Sequence, residues 1–311
     1  MIEQTTRQES NQLSIKKMCQ LCHVSRSGYY NYLKQAERRA EREKQDQEDF
    51  RLILTVYQYR GYSKGARSIY MRLLRMGIIM NIKKIRRLMK KYGLFCPIRK
   101  ANPARRMAKA LKTNAVADNL VRREFSTHGP RVILLTDITY IPYHGVFCYL
   151  SVIKDACTKE ILSYVLSASM EVDFVLETVE QLIDKHGFSL DKEVMIHSDQ
   201  GAQYTSVAFR KLLEDKSIRQ SMSRRGNCWD NAPQESFFGH MKEELRDKMS
   251  GWKTCEDVKA TIDDWMDYYN NDRPQWDLKK LTPSEYYEYL MNQNHKVSKE
   301  AIETEDAEKG N

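Results

Sequence analysis

Three acids have surroundings unlike those of ordinary surface carboxylates. Asp137 ends the apolar run VILLT at 132–136, Asp199 follows Val194, Met195 and Ile196 inside HSDQGAQYTS at 197–206, and Glu235 lies in NAPQESFF at 231–238, near the start of a helix. A carboxylate at the end of a buried run costs free energy unless something neutralises it. Three of them at one point would repel each other, and divalent cations are the usual remedy. Oxygen-only ligation with open positions suits Mg²⁺ or Mn²⁺, which keep waters and bind phosphate oxygens. Two such ions, about 3.5 to 4 Å apart, can activate a nucleophile and stabilise the leaving oxygen of an in-line phosphoryl displacement. Asp137, Asp199 and Glu235 are therefore candidate metal ligands and catalytic residues as a set. Singly, each has a plainer reading: a strand-turn cap, an Asx turn before Gly201, and an acid favoured at a helix N-terminus.

These acids need elements that bring them together. Val132 to Ile141 is rich in β-formers, PYHG at 142–145 suits a hairpin turn, and Val146 to Lys154 and Glu160 to Ser167 read as further strands. Val172, Val175, Leu176, Val179, Leu182 and Ile183 recur at helical spacing, which predicts a helix over 171–186 ended by Gly187. A short buried strand at 194–197, a helix at 206–216 and a strand at 218–222 follow. Three antiparallel strands and then helix, strand, helix, strand describe an α/β ribonuclease-H-like fold. In it Asp137 lies on the first strand, Asp199 just past the fourth, and Glu235 on a helix that crosses the same edge.

The charge distribution separates this half from the rest. The chain has 311 residues and a formal net charge of +9, yet residues 1–112 hold 27 Lys or Arg against 8 Asp or Glu, and residues 50–117 hold 18 bases and no acid. Surface helices normally mix signs to gain i,i+4 pairs, so a one-sign run of this length predicts a polyanionic partner, with nucleic acid ahead of an anionic membrane. Within the run, RGYSKG at 60–65 opens a helix with Ala66, Ile69, Leu73 and Met76 on one face, and Asn81 caps a second with Ile82, Ile85, Met89 and Tyr92 inward. Lys83, Lys84, Arg86, Arg87, Lys90 and Lys91 cover what remains of that second helix, a shape suited to a phosphate backbone or a major groove. Residues 12–35 give a weaker version of the same two-helix theme, capped by Ser14 and Ser25, and 36–55 reads as a solvated connecting helix. Arg224 and Arg225 lead into the loop before Glu235 and are candidate DNA contacts.

Composition excludes several classes. With 41% hydrophobic and 30% charged residues and a mean hydropathy of -0.67, the chain can bury a core in two or three domains but offers no run of about 20 apolar residues for a bilayer. MIEQTTRQES at the start lacks an apolar signal segment, and seven scattered cysteines make no disulfide framework. A cytoplasmic, nucleoid-associated protein is expected. Cys19, Cys22 and His23 spell C-x-x-C-H, but without a second ligand pair at zinc-finger spacing they read as side chains packed in a helix.

TDITYI at 136–141, HSDQGAQYTS at 197–206 and GNCWDNAPQESFF at 226–238, with 35 residues between Asp199 and Glu235, resemble the DDE catalytic core of bacterial insertion-sequence transposases related to retroviral integrases. YYNNDRPQWDL at 268–278, with Thr282 and Pro283, resembles that family's C-terminal signature, and the likeness spans roughly residues 55–290. Lys242, seven residues after Glu235, stands where the family carries a base; nearly two helical turns on, it shares a face with Glu235 and can hold a phosphate. The sequence departs from the family at Leu134, where many relatives have Trp, and at Gln275, where many have His.

The resemblance implies metal-dependent DNA cleavage and strand transfer with two Mg²⁺ or Mn²⁺ ions. It also implies double-stranded DNA as partner (element ends and target), a homo-oligomer on DNA, and an upstream helix-turn-helix and leucine-zipper protein, separate or fused by frameshift. A DNA-binding regulator with an inert nuclease-like core, or a ribonuclease-H-type nuclease without joining, remains open on the residues alone. The expected divisions are a helical region with a candidate helix-turn-helix and connector at 1–56, a basic helix-turn-helix domain at 57–99 and a basic linker at 100–128. The catalytic domain at 129–250, a helical C-terminal segment at 251–292 and a disordered acidic tail at 293–311 complete the chain.

Overall fold

The computed structural model describes residues 2–6, 12–96, 128–223 and 232–293. The basic linker and the acidic tail expected from the sequence fall almost wholly outside them.

At the centre is a five-stranded sheet in the order β3-β2-β1-β4-β5. β1 (Ile133–Tyr143), β2 (Val146–Asp155) and β3 (Ile161–Ser167) form an antiparallel meander. β1 runs through Pro142 and Tyr143, two residues beyond the sequence expectation, and turns at His144 and Gly145, with φ of 44° and 79°. Two consecutive positive φ values match the right-handed twist of the flanking strands, so a two-residue turn suffices. β4 (Met195–Ser198) and β5 (Arg219–Met222) add parallel strands on the other side of β1. The connections supply the helices α7 (Asp173–His186) and α8 (Val207–Asp215), as the period-3.6 pattern predicts.

Alternation along β1 divides the core into two layers. Leu134 faces one side with Ile153, Leu162 and Ile196, and α7 and α8 cover it through Val175, Val179, Leu182, Phe209 and Leu213. Ile141 faces the other with Leu150 and Val152, under α9 (Ala232–Met249) and α10 (Cys255–Asp267), which contribute Phe237, Met241, Leu245, Ile262 and Trp265. Trp265 is fully buried, so truncation to Ala should cost on the order of 3–5 kcal/mol. After α10 the chain makes a π-turn at Tyr268–Asp272 and ends its described course in a helix, α11, at 283–293.

The N-terminal region is helical throughout: α1 (Ile2–Thr6), α2 (Ile15–Leu21), α3 (Arg26–Lys34), α4 (Ala36–Gln58), α5 (Ala66–Arg75) and α6 (Ile82–Lys91). The expected caps are in place, with Ser14, Ser25 and Asn81 accepting from the N–H groups of Lys17, Gly28 and Lys83. Ile69 and Leu73 of α5 and Ile85, Leu88 and Met89 of α6 share one core with Ile53 and Val56, so α4 supplies a wall of this unit. Met76 is a C-cap and half exposed instead of inward.

This unit is fastened to the C-terminal helices. Tyr62 is buried in the same cluster as Phe237 and Trp265, and its hydroxyl donates to Asp264. Arg60 forms ion pairs with Asp264 (3.3 Å), Asp267 (2.9 Å) and Asp272 (2.8 Å), Arg72 reaches Asp272 (3.3 Å), and Arg75 pairs with Glu285 (2.6 Å). Part of the positive charge that the sequence assigns to an outside polyanion is thus met from within. The size of Trp276 predicts a place in the core of the C-terminal helical segment, yet it is 47% exposed, with the Arg67 guanidinium 5.6 Å from its ring centre.

Candidate catalytic site and basic surfaces

Strand register places the first two acids. β1 and β4 are parallel neighbours with Leu135 opposite His197; Asp137 lies two residues further along β1, and Asp199 directly follows β4, near enough for its charge to act on Asp137. Asp137 shares that face with Ile141, the face covered by α9, and Glu235 is in the first turn of α9. β4 ends because the Asp199 carboxylate turns back to accept from Gly201 N–H at 2.9 Å. A Cβ at residue 201 would lie 2.9 Å from that oxygen, so a larger residue there would push the carboxylate away from this bond.

Electrostatics ties the third acid to the pair. Asp137 is partly buried, and its one hydrogen bond among the described residues comes from the adjacent Ile138 N–H, 2.8 Å from Oδ1. Burial raises its pKa to about 7; the negative charges of Asp199 and Glu235 push the same way, and the Ile138 N–H opposes them. No Lys or Arg forms an ion pair with Asp137 or Asp199 among the described residues. Asp199 and Glu235 are exposed, so the crevice is open on their side. Among the described residues no three His, Cys, Asp or Glu side chains converge tightly enough to enclose a metal ion. The donor set is nonetheless all carboxylate oxygen, and repulsion at Asp137 is what a divalent cation would relieve.

Other groups complete the surroundings. Lys154, buried on the same face of β2, donates from Nζ to the Pro233 carbonyl at 2.8 Å and so ties the start of α9 to the sheet. Burial and the neighbouring Lys159 charge lower its pKa to about 7, against the pull of Asp137. Burial also lowers the Lys242 pKa, with the Asp137 charge opposing. Tyr204 is buried with its hydroxyl 3.4 Å from Thr136 Oγ1. Sequence reading singled out neither Lys154 nor Tyr204; a lysine inside the apolar strand run VFCYLSVIKD is the signal that could have flagged the first. His197 is packed, its Nδ1 2.9 Å from Ser221 Oγ on β5.

Comparison with known proteins agrees with this architecture. A family described as an integrase core domain matches residues 127–228, a second of the same description matches 216–283, and an HTH-like domain matches 44–102. A transposase-like protein of Haemophilus influenzae is 34% identical over 219 residues, 70% of this chain and 98% of its own. A putative transposase for the insertion sequence element IS986/IS6110 of Mycobacterium tuberculosis is 32% identical over 80% of this chain and 90% of its own. The chain belongs to the insertion-sequence transposases. A solved structure of the HTLV-2 integrase catalytic core domain in complex with magnesium is 16% identical, covering 51% of this chain and 98% of that one, at a TM-score of 0.40.

The bases predicted to meet DNA divide into two groups in this transposase. Lys84, Arg87 and Lys91 turn onto α4: Lys84 pairs with Asp49, Arg87 with Asp46 through two bonds of 2.7 Å, and Lys91 with Glu43 (2.5 Å) and Asp46 (2.9 Å). Asp46 is buried, and the Arg87 guanidinium holds its carboxyl well below the usual range. Acids spaced three apart just upstream of the acid-free run thus answer bases spaced three to four apart in α6. Lys83, Arg86 and Lys90 project on the exposed side. Arg224 and Arg225 lie outside the described residues.

Proposed function

We propose that this transposase cleaves DNA at the ends of its mobile element and joins the freed 3′-hydroxyl to target DNA. The observation that carries the reading is the shared field at Asp137: a partly buried carboxylate, unpaired by any base among the described residues, facing two further carboxylates held by β4 and α9. Asp137, Asp199 and Glu235 would hold Mg²⁺ or Mn²⁺, two ions in all. When bound, the cations supply Lewis-acid activation of the nucleophile and stabilisation of the leaving oxygen.

The protein's own residues do the positioning. β1 carries Asp137, β4 leads directly into Asp199, and Lys154 anchors the α9 turn that carries Glu235. Lys242 grips a DNA phosphate beside the acids, Lys83, Arg86 and Lys90 hold the backbone farther out, and Arg224 and Arg225 add further phosphate contacts. Water serves as nucleophile for cleavage and the 3′-hydroxyl for joining, so no covalent protein–DNA intermediate forms. Joining two element ends calls for more than one copy, which supports a homo-oligomer on DNA; the partnership with an upstream helix-turn-helix and leucine-zipper protein rests on the family resemblance. An assay with labelled element ends tests the reading. Wild-type chain should nick and then join them in Mg²⁺, and Asp137→Asn should bind the ends without doing either. An active Asn variant would remove the assignment; hydrolysis without joining would make the chain a nuclease, and binding alone a regulator.

A further inference from the structure

Packing does not account for Trp276, whose ring stays 47% exposed. It sits in the stretch 275–281 between the π-turn and α11, which backbone hydrogen bonds close on itself. Gln275 N–H donates to Leu281 O at 2.9 Å, Lys280 N–H to Gln275 O at 3.1 Å, and Leu281 N–H to Leu278 O at 2.9 Å. Lys279 and Lys280 both take positive φ, 54° and 66°, a conformation that side chains rarely adopt.

This turn gathers donors around one exposed indole. Lys280 Nζ lies 5.6 Å from the Trp276 ring centre and 5.5 Å from that of Tyr70 on α5, and the Arg67 guanidinium, on the same face of α5, lies 5.6 Å from the same indole. The Tyr70 and Trp276 rings are themselves 6.1 Å apart. Among the described residues neither Arg67 nor Lys280 forms an ion pair, and the Trp276 indole N–H has no acceptor. The acids nearest in the chain are committed elsewhere, Asp277 to Lys159 and Glu285 to Arg75. An ion pair neutralises a cation, whereas a ring face orients it and leaves its charge in place. Arg60, Arg72 and Arg75 are answered by carboxylates, so Arg67 and Lys280 are the cations this junction leaves for an outside anion. Arg67 also belongs to the acid-free run and to the unit whose α6 presents Lys83, Arg86 and Lys90, which makes the DNA backbone the polyanion to expect there.

We propose that Arg67, Lys280 and Trp276 form a phosphate clamp for double-stranded DNA, separate from the exposed face of α6. The two cations hold neighbouring backbone phosphates, and the indole N–H donates to one of their oxygens. The proposal rests on the DNA-binding part of the reading above and deepens it, adding a contact made jointly by α5 and the residues after α10.

The test is fluorescence anisotropy of a labelled duplex carrying the element's end, titrated with full chain in chelator over a series of KCl concentrations. Arg67→Gln and Lys280→Gln should each reduce the slope of log affinity against log salt by about one. Trp276→Phe keeps a ring for both cations and removes the N–H, so it should weaken binding about fivefold, the loss of one hydrogen bond, with the slope unchanged. A ring that serves packing alone would leave that affinity where it was. Combined with Arg86→Glu, each loss should persist in full, because the two contacts are separate. If Arg86→Glu lowers the slope while Arg67→Gln and Lys280→Gln do not, the clamp is overturned and DNA binding through α6 stands. Variants that alter sedimentation of the free chain and leave the salt slope alone would also overturn it, making the patch an interface between copies. Wild-type chain that binds no duplex removes the DNA reading and the clamp together, whereas the expected slopes in a chain that never cuts in Mg²⁺ would support the clamp and sink only the cleavage reading.

Discussion

Replacing Asp137 with Asn should make the metal-free protein more stable, although it should abolish activity. Folding raises the Asp137 pKa from an ordinary 3.8 to about 7, so the folded state disfavours the ionised form. The sign follows from linkage: the stability is fully present below pH 3.8, is lost progressively as pH rises toward 7, and stays lost above it. Three pH units correspond to about 4 kcal/mol. Because the crevice is open to solvent on the side of Asp199 and Glu235, screening brings this to roughly 2 kcal/mol. In a chain of this size that is about 5 °C in Tm. Thermal melts in chelator at pH 4 and pH 8 check this: wild type and Asp137→Asn should coincide at pH 4, and the variant should melt higher at pH 8. Adding Mg²⁺ at pH 8 should raise wild type by mass action and the variant little, narrowing or reversing the gap. A variant that melts lower than wild type at pH 8 in chelator, or a gap independent of pH, would refute the claim that burial, with the neighbouring carboxylates adding to it, disfavours the ionised Asp137.

Two further outcomes follow from the basic surfaces. Arg86→Glu should weaken DNA binding and reduce the slope of log affinity against log salt by about one or more, whereas Arg87→Ala should mainly cost stability, about 2 kcal/mol, by stripping the buried Asp46 of its two-bond partner; equal effects of the two on binding and on unfolding would contradict the division. Asp272→Ala removes the acceptor shared by Arg60, Arg72 and the Tyr59 hydroxyl, so hydrogen exchange across 59–75 should quicken while the central strand β1 stays protected; unchanged exchange would show that Tyr62 and the remaining pairs of Arg60 and Arg75 hold the unit.

The sheet was legible in the sequence because its signals are local. Alternation along 132–141, a turn dipeptide at 144–145 and helical spacing at 172–183 each specify a shape within a few residues. The elements that carry the three acids were legible for a related reason: each acid follows an apolar run or opens a helix, so its place within β1, after β4 or in the first turn of α9 follows once the elements are placed. Pairings between distant segments were not. The charges of α4 mix signs and read as a solvated connector, yet Glu43, Asp46 and Asp49 meet α6 some 40 residues later. A one-sign run looked like a demand for DNA, when acids on α4, α10 and the residues after it satisfy part of it. Lys154 escaped notice because nothing in its neighbours reveals that its amine reaches Pro233 across the layer. Trp276 misled in the opposite sense, since its size suggests burial and a cation beside its ring substitutes for it.

The fastening of the N-terminal unit through Tyr62 and Arg60 bears on spacing. The contacts join the α5–α6 unit to the same helical layer that carries Glu235. The distance from the exposed bases of α6 to that layer is then set by side chains at an interface, as the jaws of a caliper are set by its frame, and not by the length of the connecting chain.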